Sequence, residues 1–299
     1  FVRYDNFNNA QKVMVLGDYA FVIDGDGLRI ISLENLDAPE EVGFIETPGN
    51  SRDIDISNEI AYVADNREGL RIISIADLEN PTEIGNIGIP NSAYNVSVLG
   101  EFAYVSDNNA DLHIISIDDA ENPEEVELNG FRMQGYDITL SGDFAYSAFR
   151  SALSIVSIAN PRIPQQTGRF YKGNSIQRVA VQGNYAYLDV RDSNSNRSEI
   201  RVVSLSDPAN PEELGTYGGI NRSVALSVSG NHAYIADRDD NIHVISFAHP
   251  ENPELVNEFD FLRGISDIVI SSDFAYITGS QYGASIIEKH LTLDKKMKG

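Results

Sequence analysis

The sequence predicts an all-β chain folded as a seven-bladed β-propeller of four-stranded antiparallel blades, closed by an N-terminal strand that completes the last blade. Three observations carry this. An Ala followed by an aromatic recurs at Ala20-Phe21, Ala61-Tyr62, Ala103-Tyr104, Ala145-Tyr146, Ala186-Tyr187, Ala233-Tyr234 and Ala275-Tyr276, at spacings of 41, 42, 42, 41, 47 and 42 residues. Nine of the eleven prolines fall in one recurring turn segment: Pro39, Pro81, Pro123, Pro164, Pro211 and Pro253, with Pro161, Pro208 and Pro250 three residues ahead of the latter three. No stretch carries a 3.6-residue apolar stripe with caps, so a parallel sheet would have no crossover helices to use.

Each unit then reads as four strands, a to d. Strand a is marked by two apolar residues with one between them, starting seven residues before the Ala: Val13/Val15, Ile54/Ile56, Val96/Val98, Ile138/Leu140, Val179/Val181, Leu226/Val228 and Ile268/Ile270. That alternation is strand periodicity. Strand b holds the Ala-aromatic pair. Strand c follows, as in Leu28-Arg29-Ile30-Ile31-Ser32 and Leu70-Arg71-Ile72-Ile73-Ser74. It recurs from Leu112, Leu153, Ile200, Ile242 and, more weakly, Ala284. The proline cannot donate to a ladder, so it marks the turn from c to d.

The proline stands 22 residues before the next Ala, which aligns Phe1 with Val42 and Ile84 at the start of a strand d. The last unit has strands a, b and c, ending near Glu288, with Lys295 where a proline would stand. Phe1 to Asp5 is therefore expected to supply the outer strand of the last blade and to cover its edge. On this reading residues 1–290 are a single domain and 291–299 a C-terminal tail.

Composition narrows the function classes. With 22 Lys and Arg against 45 Asp and Glu, the formal charge is −23, which argues against gripping nucleic acid or an anionic membrane through bulk charge. At 42% hydrophobic with 14 Tyr and 13 Phe, the chain is too apolar for an acidic disordered polymer. It has no Cys, hence no disulfides and no thiolate chemistry. No apolar run approaches the roughly 20 residues a membrane helix needs. The chain opens on Phe1 and reads as a trimmed segment of a larger protein.

The units resemble LVIVD repeats, in which a strand ending in Gly precedes an Ala-Tyr strand, a Leu-x-Ile strand and an Asn-Pro turn. Here the pattern runs Val96-Ser97-Val98-Leu99-Gly100, Ala103-Tyr104-Val105-Ser106-Asp107, Leu112-His113-Ile114-Ile115-Ser116 and Glu121-Asn122-Pro123, and it extends over essentially the whole chain in seven copies. One departure is the Ser that stands where the family has an acidic residue after strand c (Ser32, Ser74, Ser116, Ser157, Ser204, Ser246). The resemblance implies a propeller of bacterial or archaeal surface or secreted proteins. WD-type propellers are excluded by the lack of any Trp.

Candidate sites follow from topology. The d-to-a and b-to-c connections open on one face, around the channel mouth. The d-to-a segments place Lys12, Arg52, Tyr94, Arg132, Tyr136, Arg178, Arg222 and Arg263 there, a ring suited to a carboxylate, phosphate or acidic sugar. The competing reading pairs each cation with a neighbouring blade's acid, such as Asp53 or Asp137. The opposite, c-to-d rim is acidic, with Glu40/Glu41, Asp77/Glu79/Glu83 and Asp118/Asp119/Glu121 among its residues. Blade five carries an extra stretch, Arg191 to Glu199, that reads as a long hairpin loop, and Phe131 to Tyr136 puts Phe, Met and Tyr near the same mouth, where they would anchor a partner or pack on the next blade.

Asp24, Asp65, Asp107 and Asp237 share one position after strand b and read as caps of the b-to-c turn. His113 and His243 share a strand c position in blades three and six, which are not adjacent and so do not make a metal site. No catalytic motif, metal site or cofactor is expected. The strand a positions between the apolar pairs (Met14, Asp55, Ser97, Thr139, Ala180, Ser227, Val269) offer one carboxylate, which disfavours channel chemistry. The expected function is a secreted or cell-surface binding or adhesion scaffold for a protein or carbohydrate ligand, anionic ligands included. It would not bind nucleic acid or insert in a membrane, and would be a monomeric domain of a larger chain. The alternative is a lactonase-like hydrolase with an ion at the channel mouth.

Overall fold

The periodic apolar pairs and Ala-aromatic steps fold as short antiparallel strands in a computed structural model that describes residues 2–4, 7–126, 133–171, 173–192, 194–195, 197–260, 264–272, 274–279 and 283–288, with 2–4 and 283–288 described at the backbone. A short N-terminal strand, β1 (Val2–Tyr4), comes first. The first blade is β2 (Ala10–Leu16), β3 (Tyr19–Asp24), β4 (Gly27–Ser32) and β5 (Glu40–Glu46). The second is β6 (Asp53–Ser57), β7 (Ile60–Ala64), β8 (Leu70–Ser74) and β9 (Thr82–Ile87). The third is β10 (Ala93–Leu99), β11 (Phe102–Asp107), β12 (Leu112–Ser116) and β13 (Glu124–Glu125), and the fourth β14 (Asp137–Ser141), β15 (Phe144–Phe149), β16 (Ala152–Ser157) and β17 (Gln165–Tyr171). The fifth is β18 (Ser175–Gln182), β19 (Tyr185–Arg191), β20 (Ser198–Ser204) and β21 (Glu212–Ile220), and the sixth β22 (Ser223–Ser229), β23 (His232–Asp237), β24 (Asn241–Ser246) and β25 (Glu254–Asp260). The chain then adds β26 (Ile265–Ser271), β27 (Phe274–Gly279) and β28 (Gly283–Glu288).

In each of these six blades the strands lie in chain order, joined as antiparallel neighbours. The expectation of seven blades is corrected here. Six blades are complete units, each a contiguous stretch of chain, whereas the remaining four-stranded sheet is composite, ordered β1-β28-β27-β26. Self-contained blades therefore number six, not seven. The physical reason is that the sequence after Glu288 carries no proline and that, among the described residues, the last segment has three strands of its own, so the outer edge of β28 is covered by β1, with Val2 opposite Ile286 and Tyr4 opposite Ala284. Phe1, Asp5 and the proposed tail from 291 onward lie outside the described residues.

The innermost strands β2, β6, β10, β14, β18, β22 and β26 each touch the next, and β26 touches β2, so the sheets form a closed ring. Among the described residues the core is a set of apolar clusters, one at each seam between consecutive sheets. The aromatic of each Ala-aromatic pair points forward into the following sheet: Tyr62 packs with Ile89, Ala93 and Val96, and Tyr276 closes the ring against Ala10, Val13 and Ala20. The seams are tight enough that glycine is required on strand d. A Cβ at Gly85 would run into the carbonyl oxygen of Ala120, and one at Gly168 into that of Pro208. Both glycines follow a β-bulge against strand c, at Ile72/Ile73 and Ile155/Val156. Among the described residues no helix is long and apolar enough to cross a membrane.

Candidate functional site

Period-two alternation decides what reaches the axis. On strand a the apolar residues face the preceding sheet, as Val96 does toward Tyr62. The residue just before them, the eighth before the strand b Ala, faces the following sheet. It reads Lys12, Asp53, Asn95, Asp137, Arg178, Ala225 and Asp267 around the ring. All of these but Ala225 line a central cavity of about 550 Å³ together with Met14, Asp55, Ser97, Thr139, Ala180, Ser227 and Val269.

The expectation of one channel carboxylate is therefore corrected to four: Asp53, Asp55, Asp137 and Asp267. They share a structural task. An innermost strand is the edge of its sheet, and its outward N–H groups lack a ladder partner. Asp53 accepts from Val96 N at 3.0 Å, Asp55 from Val98 N at 2.7 Å, Asp137 from Val179 N at 2.8 Å and Asp267 from Val13 N at 3.3 Å, each reaching the next sheet. Lys12 Nζ stands between Asp267 at 3.5 Å and Asp53 at 3.9 Å. Its ammonium is raised well above its ordinary pKa, chiefly by Asp267, against the cost of burial. Burial pushes the Asp53 carboxyl up to about 6 in spite of Lys12, and it likewise raises Asp55 and Asp137. Among the described residues no three His, Cys, Asp or Glu are grouped to hold a metal ion.

The mouth residues divide. Lys12, Arg52 and Tyr94 meet at a cavity of about 320 Å³ with Asn9, Gln11, Asp53 and Asn95. Arg52 donates to Gln11 Oε1 at 3.0 Å, and Tyr94 is 47% exposed. Tyr136, 44% exposed, leans on Phe149 with ring centroids 5.1 Å apart. Met133, by contrast, is buried against Tyr104 and Ile138, so it belongs to the core and not to an exposed anchor. Arg178 bonds Asp189 of its own blade at 3.0 Å, and Arg222 sits at a φ of +44° just before β22. Arg132, Arg263 and Phe131 lie outside the described residues. The extra stretch after Arg191 extends the β19/β20 hairpin, with Asp192 bonding Asn194 N and Ser195 Oγ across its turn.

The shared aspartates are fully or almost fully buried. Asp107 and Asp237 cap the b-to-c turn, taking Asn109 N at 2.8 Å and Asp239 N at 2.9 Å. Asp24 and Asp65 instead hold the d-to-a segment, through Asn8 N and Asn9 N, and through Gly49 N with the Thr47 and Ser51 hydroxyls. Each also faces a base on strand c, which in turn faces a strand d glutamate. Arg29 lies between Asp24 and Glu41, Arg71 between Asp65 and Glu83, His113 between Asp107 and Glu125, and His243 between Asp237 and Glu258. The two histidines are thus the imidazole versions of a repeated arginine. The signal was in the alignment of Arg29 and Arg71 with His113 and His243, which a reading confined to histidine passes over.

Comparison with known proteins bears on the repeat. The family model described as the LVIVD repeat matches residues 8–47, 48–88, 90–128, 134–171, 173–219 and 218–260, six copies where the sequence pattern counted seven. The closing sheet of β26, β27, β28 and β1 lies outside the matches. No curated protein matches. Among solved structures, the β-propeller domain of Cps50 (Swd1) from Myceliophteria thermophila is similar at 13% identity and a TM-score of 0.76, covering 94% of this chain and 96% of that one. A functionally unknown protein from Desulfotomaculum acetoxidans is 15% identical with a TM-score of 0.71, covering 95% and 90%. The computationally designed Ika8 protein is 10% identical with a TM-score of 0.70, covering 93% and 83%. At these identities the likeness is one of fold.

Proposed function

The chain belongs to the LVIVD-repeat family, and from that premise we propose that it is a binding or adhesion scaffold whose mouth face engages a protein or carbohydrate ligand at a cell surface or in a secreted setting. One observation carries the reading. The Ala-aromatic positions that build the seams repeat around the ring, while the mouth position nine residues earlier, where Arg52, Tyr94 and Tyr136 stand, is Gln, Arg, Tyr, Tyr, Gln, Val and Ser in turn. Structural contacts recur with a repeat, and a site that reads an asymmetric ligand must break it. Exposed Tyr94 and Tyr136 and the polar cavity beside Arg52 give that broken face aromatic and hydrogen-bonding contacts suited to sugars or peptides.

Glycan and peptide arrays probed with wild type and with an Arg52→Ala/Tyr94→Ala variant test this. The wild type is expected to pick out a defined ligand set, and the variant to lose roughly tenfold or more in apparent affinity. Equal binding by both proteins contradicts the proposal. The four channel carboxylates favour the hydrolase alternative on number alone, but each is already engaged by a backbone N–H of the following sheet.

A further inference from the structure

The seam between the fifth and sixth blades gathers four arginines on the mouth face: Arg178 on β18, Arg191 at the end of β19, Arg222 before β22 and Arg238 after β23. One buried carboxylate serves them. Asp189, fully excluded from solvent, accepts from Arg178 Nη1 at 3.0 Å and from Ser223 Oγ. Among the described residues, Arg191, Arg222 and Arg238 have no carboxylate within salt-bridge distance. Nearby acids are committed elsewhere: Asp192 to its own turn, Glu199 to Arg201, and Asp239 to Asn221 at 2.5 Å. Asp189 is the one carboxylate in direct contact with a guanidinium of the cluster; Asp192 and Asp239 bond neutral groups and keep their charge, so the four guanidiniums exceed these three carboxylates by one.

One atom marks the excess: Arg191 Nε is shut off from solvent with no hydrogen-bond partner, whereas the likewise orphaned Asp189 Oδ1 is an acceptor and calls for a donor. An orphaned buried donor on a charged group is costly, and such donors are found where a ligand or water completes the set. Burial, and then repulsion from Arg222, Arg178 and Arg238, hold the Arg191 guanidinium below its ordinary pKa, with Asp189 opposing. Arg222 is moreover held in the left-handed backbone region, which a non-glycine residue occupies only where its surroundings enforce it. The formal charge of −23 does not cancel this local field, because charges farther off than the Debye length of about 8 Å are screened.

We propose that this arginine cluster binds a tetrahedral oxyanion, a phosphate or sulfate group, carried by the ligand of the mouth face. Guanidinium forks match such groups with paired charge-assisted hydrogen bonds. The identity of the mouth face as the binding surface rests on the proposed function, but the anion site itself can be tested alone.

The test is thermal melting and calorimetric titration with inorganic phosphate and with sulfate, against chloride at equal ionic strength. The wild type is expected to melt higher in either oxyanion than in chloride, because a ligand bound only by the folded state stabilises it. An Arg191→Ala/Arg222→Ala variant is expected to bind roughly tenfold or more weakly, while Arg162→Ala, in an exposed c-to-d turn on the opposite rim, keeps the wild-type shift. If the double alanine variant fails to fold, Arg191→Lys/Arg222→Lys keeps the charge, loses the forks and is expected to bind more weakly than wild type. Equal melting in oxyanion and chloride, or wild-type affinity in either double variant, overturns the site. Array ligands that still bind the Arg52→Ala/Tyr94→Ala variant would count against the mouth reading and leave the phosphate result standing.

Discussion

At the scale of single residues, the molecule places carboxylates in two environments with opposite linkage to pH. The exposed c-to-d rim uses acids to shape turns: Asp77 accepts from Glu79 N and Asn80, and Asp207 from Ala209 N and Asn210. These bonds, the side-chain amides of Asn80 and Asn210 foremost, hold both carboxyls below their ordinary range. They stabilise above the unfolded pKa and lose that effect as pH falls through the folded one. Asp53 behaves in the opposite sense, since burial raises it from 3.8 to about 6. Between those values the folded state binds the proton more tightly, so stability declines as pH rises through this window. Wild type is therefore expected to melt higher at pH 5 than at pH 7.5, and Asp53→Asn to flatten the difference, with a ceiling of about 3 kcal/mol from linkage. Asn can still accept from Val96 N. Melts at several pH values check this, and an unchanged slope in the variant would sink the assignment. The aspartates after strand b were legible as caps because they repeat. That Asp24 and Asp65 reach a different loop was not legible, since both loops offer free N–H groups and only tertiary position selects one.

At the scale of strands, the a, b and c elements were readable because apolar alternation and the Ala-aromatic step report the seams directly. Strand a concealed more. Two of its residues in nearly every repeat face the channel region, and the sequence reading weighed Met14 and Asp55 as channel positions but placed Lys12 on the d-to-a segment and took Asp53 and Asp137 only as ion-pair partners for mouth cations. The difference is one pleat, and it hid three of four channel carboxylates. Strand d was legible through its proline, yet its glycine was not, because only the approach of the neighbouring turn makes a side chain there impossible. Replacing Gly85 by Ala drives a methyl against the Ala120 carbonyl beside a bulge. Urea unfolding is expected to show a loss of about 1–3 kcal/mol with little change in slope. A loss under about 0.5 kcal/mol would mean the seam yields more readily than its geometry indicates.

At the scale of the whole molecule, the formal charge of −23 averages over unlike regions. Acids are concentrated in the c-to-d turns, buried aspartates stitch edge strands across the seams, and four arginines gather at one seam of the mouth. Closure was legible because the alignment of Phe1 with Val42 left the last segment one strand short; that segment's departure from the family pattern was not, because a pattern of apolar spacing tolerates changes that a family model does not. The functional claim is that the mouth face, and not the acidic rim, meets the ligand. The absence of cysteine allows a direct test. A single thiol introduced by Asn50→Cys at the mouth, or by Glu121→Cys on the rim, can carry a bulky polyethylene glycol chain, and each conjugate can be measured against the ligand set found on the arrays. The mouth conjugate is expected to lose binding while the rim conjugate retains it. Retention by the mouth conjugate with loss by the rim conjugate would contradict the account.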